Sequence, residues 1–290
     1  MKKIIDSKWL SLLLITIIYV IAILGSILSF RVFNNLDFWL KLLLADVIGT
    51  VIVFMFSLLL NNASTYDPYW SVQPIVIVLA FIFNVKINVP IILMLIVILL
   101  WGIRLTANWI YTFYNLNYQD WRYKMLKEKT KSFYPLINFI GIHMVPTLVV
   151  YLATIPACYL LFNPSKVTVF TILGTIISFI AFLLELISDI QMHKYRKNRT
   201  TLFIRNGLWK YSRHPNYLGE ILMWWGVATI TVGSLIGDYH YLFLGAFLNT
   251  LLFLFVSLPM AEGRQAKKEG FIEYKKQTRL LLPIKRINKS

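Results

Sequence analysis

The stretch Gly207–Gly226 reads GLWKYSRHPNYLGEILMWWG and lies between a basic segment and a strongly apolar one. Pro215 suits the first turn of a helix, because the amide proton that proline lacks has no helical partner there. Arg213 and His214 are therefore expected at a helix N-terminus, where unbonded N–H groups and the helix dipole favour an anion. Glu220 falls one turn deeper, in a segment suited to lipid or a buried core. Burying an ionisable group at that depth costs free energy, so its presence indicates a function.

The composition is that of an integral membrane protein. Of the 290 residues, 58% are hydrophobic and only 14% are charged, whereas soluble domains carry about 25% charged residues. The net charge of +16 could suggest nucleic acid. The basic residues, however, fall in blocks beside apolar segments, which is the bias of cytoplasmic loops in membrane proteins. Composition therefore excludes nucleic acid as a partner.

Cysteine and histidine usage indicates neither a disulfide nor a metal site. The single Cys158 has no partner for an intrachain disulfide and suits a small packing position. The four histidines, at positions 143, 193, 214 and 240, are scattered, and no Cys/His pair has metal-ligand spacing. The first apolar segment is long enough to span and lacks a small-residue cleavage site after it, so we expect no cleavable signal peptide.

Apolar segments predict an all-α polytopic membrane protein with seven to eight transmembrane helices, since a bilayer core needs about 20 apolar residues per helix. The segments are residues 9–30, 38–60, 72–83, 89–111, 136–161, 167–190, 217–232 and 239–259. The third is short, so a re-entrant piece is the alternative to an eighth crossing. Pro146 and Pro156 predict a kink or break in the fifth. We interpret residues 1–290 as one membrane domain, with N-terminal helices over 9–115 and C-terminal helices and a tail over 136–290.

The distribution of basic residues predicts the orientation. With eight crossings, 24 of the 29 Lys and Arg residues fall on the side of both termini, in residues 2–8, 115–131, 193–213 and 261–290. The positive-inside rule then places the N- and C-termini in the cytoplasm.

The motif GLWKYSRHPNYLGEI resembles the signature of a membrane family that holds steroid 5-alpha-reductases, sterol C14-reductases and their bacterial relatives. A looser form, Arg-His-Pro-x-Tyr-x-x-Gly, occurs in isoprenylcysteine carboxyl methyltransferases. The resemblance covers residues 185–283 well and the N-terminal half weakly. It implies a monomeric, NADPH-dependent reductase of a bacterial cell membrane. The implied substrate is an activated C=C bond in a hydrophobic, steroid- or isoprenoid-type molecule that enters from the bilayer among membrane lipids.

The resemblance also implies which residues bind the cofactor, near the cytoplasmic surface and without a Rossmann domain. Where the family has Asn-x-x-x-Asp, this chain reads Glu185-x-x-x-Asp189, so the first position departs from the pattern. Spacings of four and three residues keep this pair, His193 and Arg196 on one helical face. The implied cofactor residues are Glu185, Asp189, Arg196, Tyr211, Arg213, His214, Asn216, Tyr217, Glu220, Arg264, Tyr274 and Arg279.

The substrate residues are implied by distance from an intramembrane arginine. If Arg104 is the family's arginine, Asp67 stands where the family has a Glu that holds the enone carbonyl, and Trp101 stands where it has a Tyr. The predicted catalytic residues are Asp67, Tyr111 and Tyr114, with Tyr66 and Tyr69 as nearby substitutes. Asp67-Pro68 also fits a simple helix-entry turn. The polar patch Gln119-Asp120-Trp121-Arg122-Tyr123 resembles an element of the bacterial relatives, but the sequence does not reveal its role.

Two other functions remain open at this point. An S-adenosylmethionine-dependent methyltransferase would share the Arg213-His214-Pro215 motif, although its cofactor carries a sulfonium cation rather than a row of phosphates. A non-catalytic lipid-binding protein would merely keep the fold. Binding of NADPH, of S-adenosylmethionine or of neither distinguishes the three.

Overall fold

The computed structural model describes residues 2–285 and is all-helical. Helices make up 78% of the structure. Within the described residues there is no β-strand, only isolated bridges that pair Ser165 with Leu235 and Ser212 with Arg279. The all-α prediction is therefore confirmed. Residues 286–290 of the predicted tail lie outside the described part of the chain.

The α-helices run in chain order from the N-terminus to the basic tail. They are α1 (Lys2–Asp6), α2 (Lys8–Val32), α3 (Phe38–Leu59), α4 (Tyr69–Ile82), α5 (Val89–Thr112), α6 (Trp121–Thr130), α7 (Tyr134–Ile137), α8 (Val145–Phe162), α9 (Val169–Lys197), α10 (Pro215–Ser234), α11 (Leu244–Leu252), α12 (Leu258–Gln265) and α13 (Phe271–Gln277). A wide π turn, Asn138–Met144, joins α7 to α8, and a second one, Phe253–Ser257, joins α11 to α12.

Six helical segments between residues 2 and 285 are long and apolar enough to cross a membrane, as an integral membrane protein requires. They are Lys8–Val32, Phe38–Leu59, Val89–Thr112, Trp121–Phe162, Val169–Lys197 and His240–Gln265.

Two of the eight predicted spans are missing from this set. Helix α4 has 14 residues, which is about 21 Å of helix against a hydrocarbon core of about 30 Å. Helix α10 has 20 residues, but its first turns hold Asn216 and Glu220, which lower its apolar character. The count of seven or eight crossings and the cytoplasmic termini stay predictions.

The described chain divides into two compact units. Unit 1 combines the chain up to Ile77 with Gly102–Tyr151, and unit 2 combines Val78–Trp101 with the chain from Leu152 onward. The boundaries fall inside α4, α5 and α8, because the two ends of each of these helices pack with different neighbours. The division therefore differs from the predicted halves of 9–115 and 136–290.

The core of unit 1 is built where α2 packs along α3. Ile18 and Ala22 of α2 and Val53 of α3 are fully buried in one apolar cluster with several tyrosines. The approach is close, since a Cβ placed on Gly49 of α3 would lie 2.5 Å from the Ser26 hydroxyl oxygen of α2. A glycine is needed here to admit that hydroxyl.

The helix break predicted for residues 136–161 is a π turn within a continuous helical segment. Pro146 has no N–H with which to continue the α-helical hydrogen bonds, and the π turn ends at Met144, two residues before it. Pro156 is accommodated within α8. The π turn carries two fully buried polar side chains, Asn138 and His143. Such turns are frequent at functional sites.

Unit 2 is organised around α9 and α10, which pack through small residues. A Cβ on Gly226 of α10 would lie 2.8 Å from the Gly174 carbonyl oxygen of α9 and would also meet the Ser178 hydroxyl. Gly219 of α10 comes equally close to α9, at the Ala181 carbonyl oxygen. Small residues at such spacing let membrane helices approach closely. The motif is thereby held against the end of α9.

Candidate functional site

The motif forms the entrance to α10, which begins at Pro215. His214 occupies the cap position with a non-helical backbone, and Arg213 and Ser212 precede it. These three residues are buried although they lie in a loop between a basic segment and the helix. The chain beyond α13 covers them.

Glu262 of α12 is the acidic centre of this entrance. Its carboxylate accepts hydrogen bonds from Arg213 Nε at 3.0 Å and Nη2 at 3.0 Å, and it lies 2.8 Å from His214 Nε2. The ammonium of Lys275 is 3.7 Å away. Arg213, His214 and Glu262 all have nearly buried side chains. Charge-assisted contacts in such surroundings are stronger than at an open surface.

The backbone of the tail completes the entrance. The N–H groups of Arg213 and His214 donate to the carbonyl oxygens of Arg279 at 2.9 Å and Leu280 at 3.2 Å. The Arg213 guanidinium also donates to the carbonyl oxygens of Thr278 and Lys275. Groups that the sequence suggested for an anion are thus bonded within unit 2. Arg213 and His214 act here as the residues that hold the tail against α10.

Asn216 differs from its neighbours because one of its polar atoms has no partner. Its amide oxygen is buried and accepts no hydrogen bond, in the first turn of α10. The adjacent Tyr217 stacks on the His214 ring at 5.2 Å and meets the edge of Phe253. An orphaned acceptor in a native fold calls for an explanation, such as a ligand that donates to it.

Glu220 is a buried carboxylate held by two indoles. Trp101 Nε1 donates to it at 2.8 Å and Trp224 Nε1 at 3.0 Å, and the two rings meet edge to face. Glu185 of α9 is also buried, and its side chain passes over Gly219. Unit 2 therefore contains two buried carboxylates where α9 and α10 meet. Trp101, which the sequence placed near the substrate, contacts Glu220 instead.

The remaining predicted cofactor residues range from buried to exposed. Asp189 is half-buried on α9, one turn beyond Glu185. The Tyr274 hydroxyl donates to the Trp209 carbonyl oxygen, and burial raises the pKa of this tyrosine well above its usual range. The exposed residues of the set are Arg196, Tyr211, Arg264 and Arg279. Three cationic side chains are thus presented to solvent on the unit that contains the motif.

In unit 1, Asp67 is brought to the polar patch that the sequence left without a role. It accepts a hydrogen bond from the Tyr123 hydroxyl and lies 3.8 Å from Arg122 Nη2. Burial raises the pKa of the Asp67 carboxyl to about 6, and the nearby Arg122 and hydrogen bonds oppose that rise only in part. A carboxyl group with a pKa close to neutrality is suited to proton transfer.

Tyr111 and Tyr114 stand apart from Asp67 in their surroundings. They are 68% and 71% exposed, whereas the Asp67 side chain is 14% exposed. Tyr66, named only as a substitute, is 2% exposed. Burial therefore favours Tyr66 over both predicted tyrosines as the partner of a buried ligand.

Sequence reasoning missed a hydroxyl-rich network around Thr147, which we call the Thr147 network. The Thr147 hydroxyl lies 2.7 Å from the Tyr66 hydroxyl and 3.0 Å from that of Thr50. The ring of His143 packs 4.7 Å from that of Tyr66. The network comprises Thr50, Tyr66, His143 and Thr147, with Asp46 and its donor Gln73 in the same unit. In the sequence, the one indication of this polar region was Asp46, a carboxylate within an apolar segment.

Comparison with known proteins gives a family but no activity. A model of the DUF1295 family, described as a protein of unknown function, matches residues 53–278. A Schizosaccharomyces pombe protein described as uncharacterized is 27% identical over 220 residues, which cover 66% of this chain and 64% of that protein. This chain thus matches less than two thirds of its relative's length. No solved structure matches.

Proposed function

Because the chain belongs to the DUF1295 family, which includes steroid 5-alpha-reductase-like proteins, we propose that it is an NADPH-dependent membrane reductase. Its substrate would be an activated C=C bond in a hydrophobic, steroid- or isoprenoid-type molecule taken from the bilayer. A polar acceptor would lose its hydration on entering an apolar site, which favours a lipid-like one.

The observation that carries the proposal is the unpartnered amide oxygen of Asn216 at the start of α10. A ribose hydroxyl or a carboxamide N–H of a nucleotide would supply the donor that this oxygen lacks. The exposed Arg279 belongs to the tail segment that pairs with the motif backbone, and its guanidinium suits a phosphate. Arg213 and Glu262 would shape the site by holding that segment in place.

Bound NADPH would supply the hydride, which adds to the β carbon of an enone while the α carbon takes a proton. A carboxyl group or a tyrosine hydroxyl would steady the carbonyl oxygen and deliver the proton. Asp67 is suited to this by its pKa of about 6, and Tyr66 by its buried hydroxyl. Stabilising the developing enolate is what lowers the barrier.

A second candidate is methyl transfer from S-adenosylmethionine. The buried carboxylates of Glu185 and Glu220 favour it, because they would attract the sulfonium cation. The phosphates of NADPH gain nothing from these two groups. The two proposals therefore differ in which charges of unit 2 contact the ligand.

Titration of the detergent-purified protein with NADPH, and separately with S-adenosylmethionine, tests the choice. We expect saturable NADPH binding that Arg279→Gln weakens by about 1.5–3 kcal/mol, the contribution of a hydrogen bond to a charged group. Lys276→Gln is the matched control, since it removes an exposed cation from the same tail. Saturable binding of S-adenosylmethionine alone would replace the reductase with the methyltransferase. Binding of neither would favour a non-catalytic lipid-binding protein.

The catalytic assignment needs a separate test, with turnover of an enone as the readout. Asp67→Asn should lower kcat and leave the NADPH affinity nearly unchanged, because a group that acts on the transition state appears in kcat. Full turnover by Asp67→Leu would remove Asp67 from the mechanism and leave the tyrosines.

A further inference from the structure

A cavity of about 280 Å³ lies in unit 1, just beyond the end of α3. Its floor is polar and buried, with Ser57, Asn62 and Asn138 each at most 3% exposed. Its rim carries the exposed Lys127 and Lys131. No acidic side chain is among its described lining residues. The cavity shares none of the residues assigned to the cofactor or to catalysis.

One hydrogen-bond acceptor in the floor, the Asn138 amide oxygen, has no donor. The Asn138 side-chain amide donates to the Ser57 hydroxyl oxygen at 3.3 Å, and that hydroxyl donates to the Phe54 carbonyl oxygen. The Asn138 amide oxygen accepts no hydrogen bond. By contrast, the Asn62 amide oxygen accepts from the Ser64 N–H. A ligand suited to this floor therefore brings a hydrogen-bond donor, because a buried amide oxygen is normally satisfied.

The rim of the cavity is suited to an anionic group, whereas the floor is suited to a hydrogen-bond donor. Lys127 donates to the Asn61 amide oxygen at 2.9 Å, which holds its ammonium at the rim, and Lys131 adds a second cation. Asn61 and Lys131 have φ angles of 49° and 45°. Within residues 2–285, they are the two non-glycine residues with this left-handed backbone. Backbone strain of this kind gathers at ligand sites, and two neighbouring cations favour an anion.

The surroundings indicate an amphipathic ligand. Helix α3 is a candidate membrane span that ends at Leu59, so in a bilayer the cavity at its end would come near the lipid head groups. Leu58 lines the cavity and is 42% exposed. The neighbouring Phe133 and Leu136 are also exposed. These apolar side chains would contact acyl chains, which a free phosphate ester lacks.

We propose that this cavity binds the head group of an anionic phospholipid whose phosphate is esterified to a polyol such as glycerol. The phosphate lies between Lys127 and Lys131. A hydroxyl of the head group reaches the floor and donates to the Asn138 amide oxygen. A choline head group carries no hydroxyl or N–H donor, so phosphatidylcholine is a poor ligand.

Native mass spectrometry of the detergent-purified full chain tests this through the lipids that it retains. We expect phosphatidylglycerol to be retained over phosphatidylmethanol, which has the same charge but no head-group hydroxyl. Lys127→Gln with Lys131→Gln should reduce retention of phosphatidylglycerol by about thirtyfold. Asn138→Leu should abolish the preference between the two anionic lipids. Circular dichroism spectra that match the parent protein would show that each variant is folded.

The matched control is Lys124→Gln with Lys129→Gln, which removes two exposed cations of α6 that do not line the cavity. Equal losses in both double variants would overturn the site and indicate only a general attraction of the basic helix. Equal retention of phosphatidylglycerol and phosphatidylmethanol by the parent protein would overturn the role of Asn138. Displacement of the lipid by equimolar glycerol 3-phosphate would identify the ligand as a soluble ester instead. NADPH binding depends on unit 2 residues and should be unchanged in every variant.

Discussion

The motif segment of unit 2 and the Thr147 network of unit 1 are both buried and polar, but they are assembled differently. In the motif segment, residues 207–226 place Arg213, His214 and Glu220 within a few turns of one another. In the network, Thr50 and Thr147 are 97 positions apart, yet their hydroxyl oxygens lie 3.0 Å apart. The comparison teaches that a short linear pattern is visible in a sequence, whereas a constellation built from distant helices is not.

The two regions also differ in the kind of polar contact. Arg213 and His214 meet the carboxylate of Glu262, whereas Tyr66, Thr50 and Thr147 meet through hydroxyl groups. Removing one partner of a buried ion pair leaves an uncompensated charge. Removing a hydroxyl leaves only an uncharged group without its hydrogen bond, which costs less. Substitutions in the motif segment should therefore have the larger effects.

The largest effect is expected for Glu262→Ala. The change leaves the buried Arg213 guanidinium without its carboxylate, and we expect a loss of about 3–5 kcal/mol in the free energy of unfolding. Denaturant unfolding in mild detergent measures it. The control is Glu273→Ala, which removes the exposed partner of Lys276 and should change stability little. Equal effects of the two changes would show that Glu262 behaves as a surface residue.

The next effect is a pH dependence at Asp67. Its pKa of about 6 lies above the ordinary 3.8, so the folded state binds the proton before the unfolded state does. As the pH falls from 7 to 4, protonation of Asp67 should therefore stabilise the folded state by about 2 kcal/mol. The difference in unfolding free energy between the parent protein and Asp67→Asn, measured across this range, isolates the contribution. A difference that is constant with pH would contradict the raised pKa.

A smaller loss is expected for Gly226→Ala in the contact between α9 and α10. The added methyl would meet the Gly174 carbonyl oxygen and the Ser178 hydroxyl, and overpacking of this kind costs about 1–3 kcal/mol. Gly263→Ala is the control, because no heavy atom lies within 4 Å of its added Cβ. That control should stabilise α12 by about 0.5–1 kcal/mol. Thermal unfolding of the two variants would separate tight packing from helix propensity.

The smallest effect on stability is expected in the Thr147 network. Tyr66→Phe removes one hydroxyl bonded to Thr147, which should destabilise unit 1 by about 1 kcal/mol. If the network holds the substrate carbonyl, kcat should fall as well. Tyr111→Phe, at a residue 68% exposed, should change neither quantity. Loss of turnover in Tyr111→Phe with normal turnover in Tyr66→Phe would favour the exposed tyrosine as the catalytic one.

Much of the fold could be predicted because it depends on local patterns. The apolar runs identify the long helices, and Pro215 marks the start of α10. The division of α5 between two units could not be predicted, because nothing in its continuous apolar run distinguishes Trp101 from Gly102. The absence of α10 from the candidate spans could have been predicted, because Asn216 and Glu220 make its first turns polar.

The sequence predicted several residues of the candidate site, but it did not predict which residues they contact. The motif identified Arg213 and Asn216, yet only the structure shows that one is bonded to Glu262 and the other has an orphaned oxygen. Glu262 lies 49 positions from Arg213 and has no motif around it that assigns it this role. A single carboxylate in a basic tail is compatible with many partners, so its contact depends on the tertiary fold.

The pairing of residues 212–214 with residues 278–280 has a consequence for the order of events during synthesis. A ribosome makes the motif first, and some sixty further residues must follow before its backbone N–H groups find their acceptors. Until then the backbone N–H groups at the start of α10 lack these carbonyl acceptors. A nascent chain that stalls before Thr278 would carry every residue of the motif and still lack a completed site.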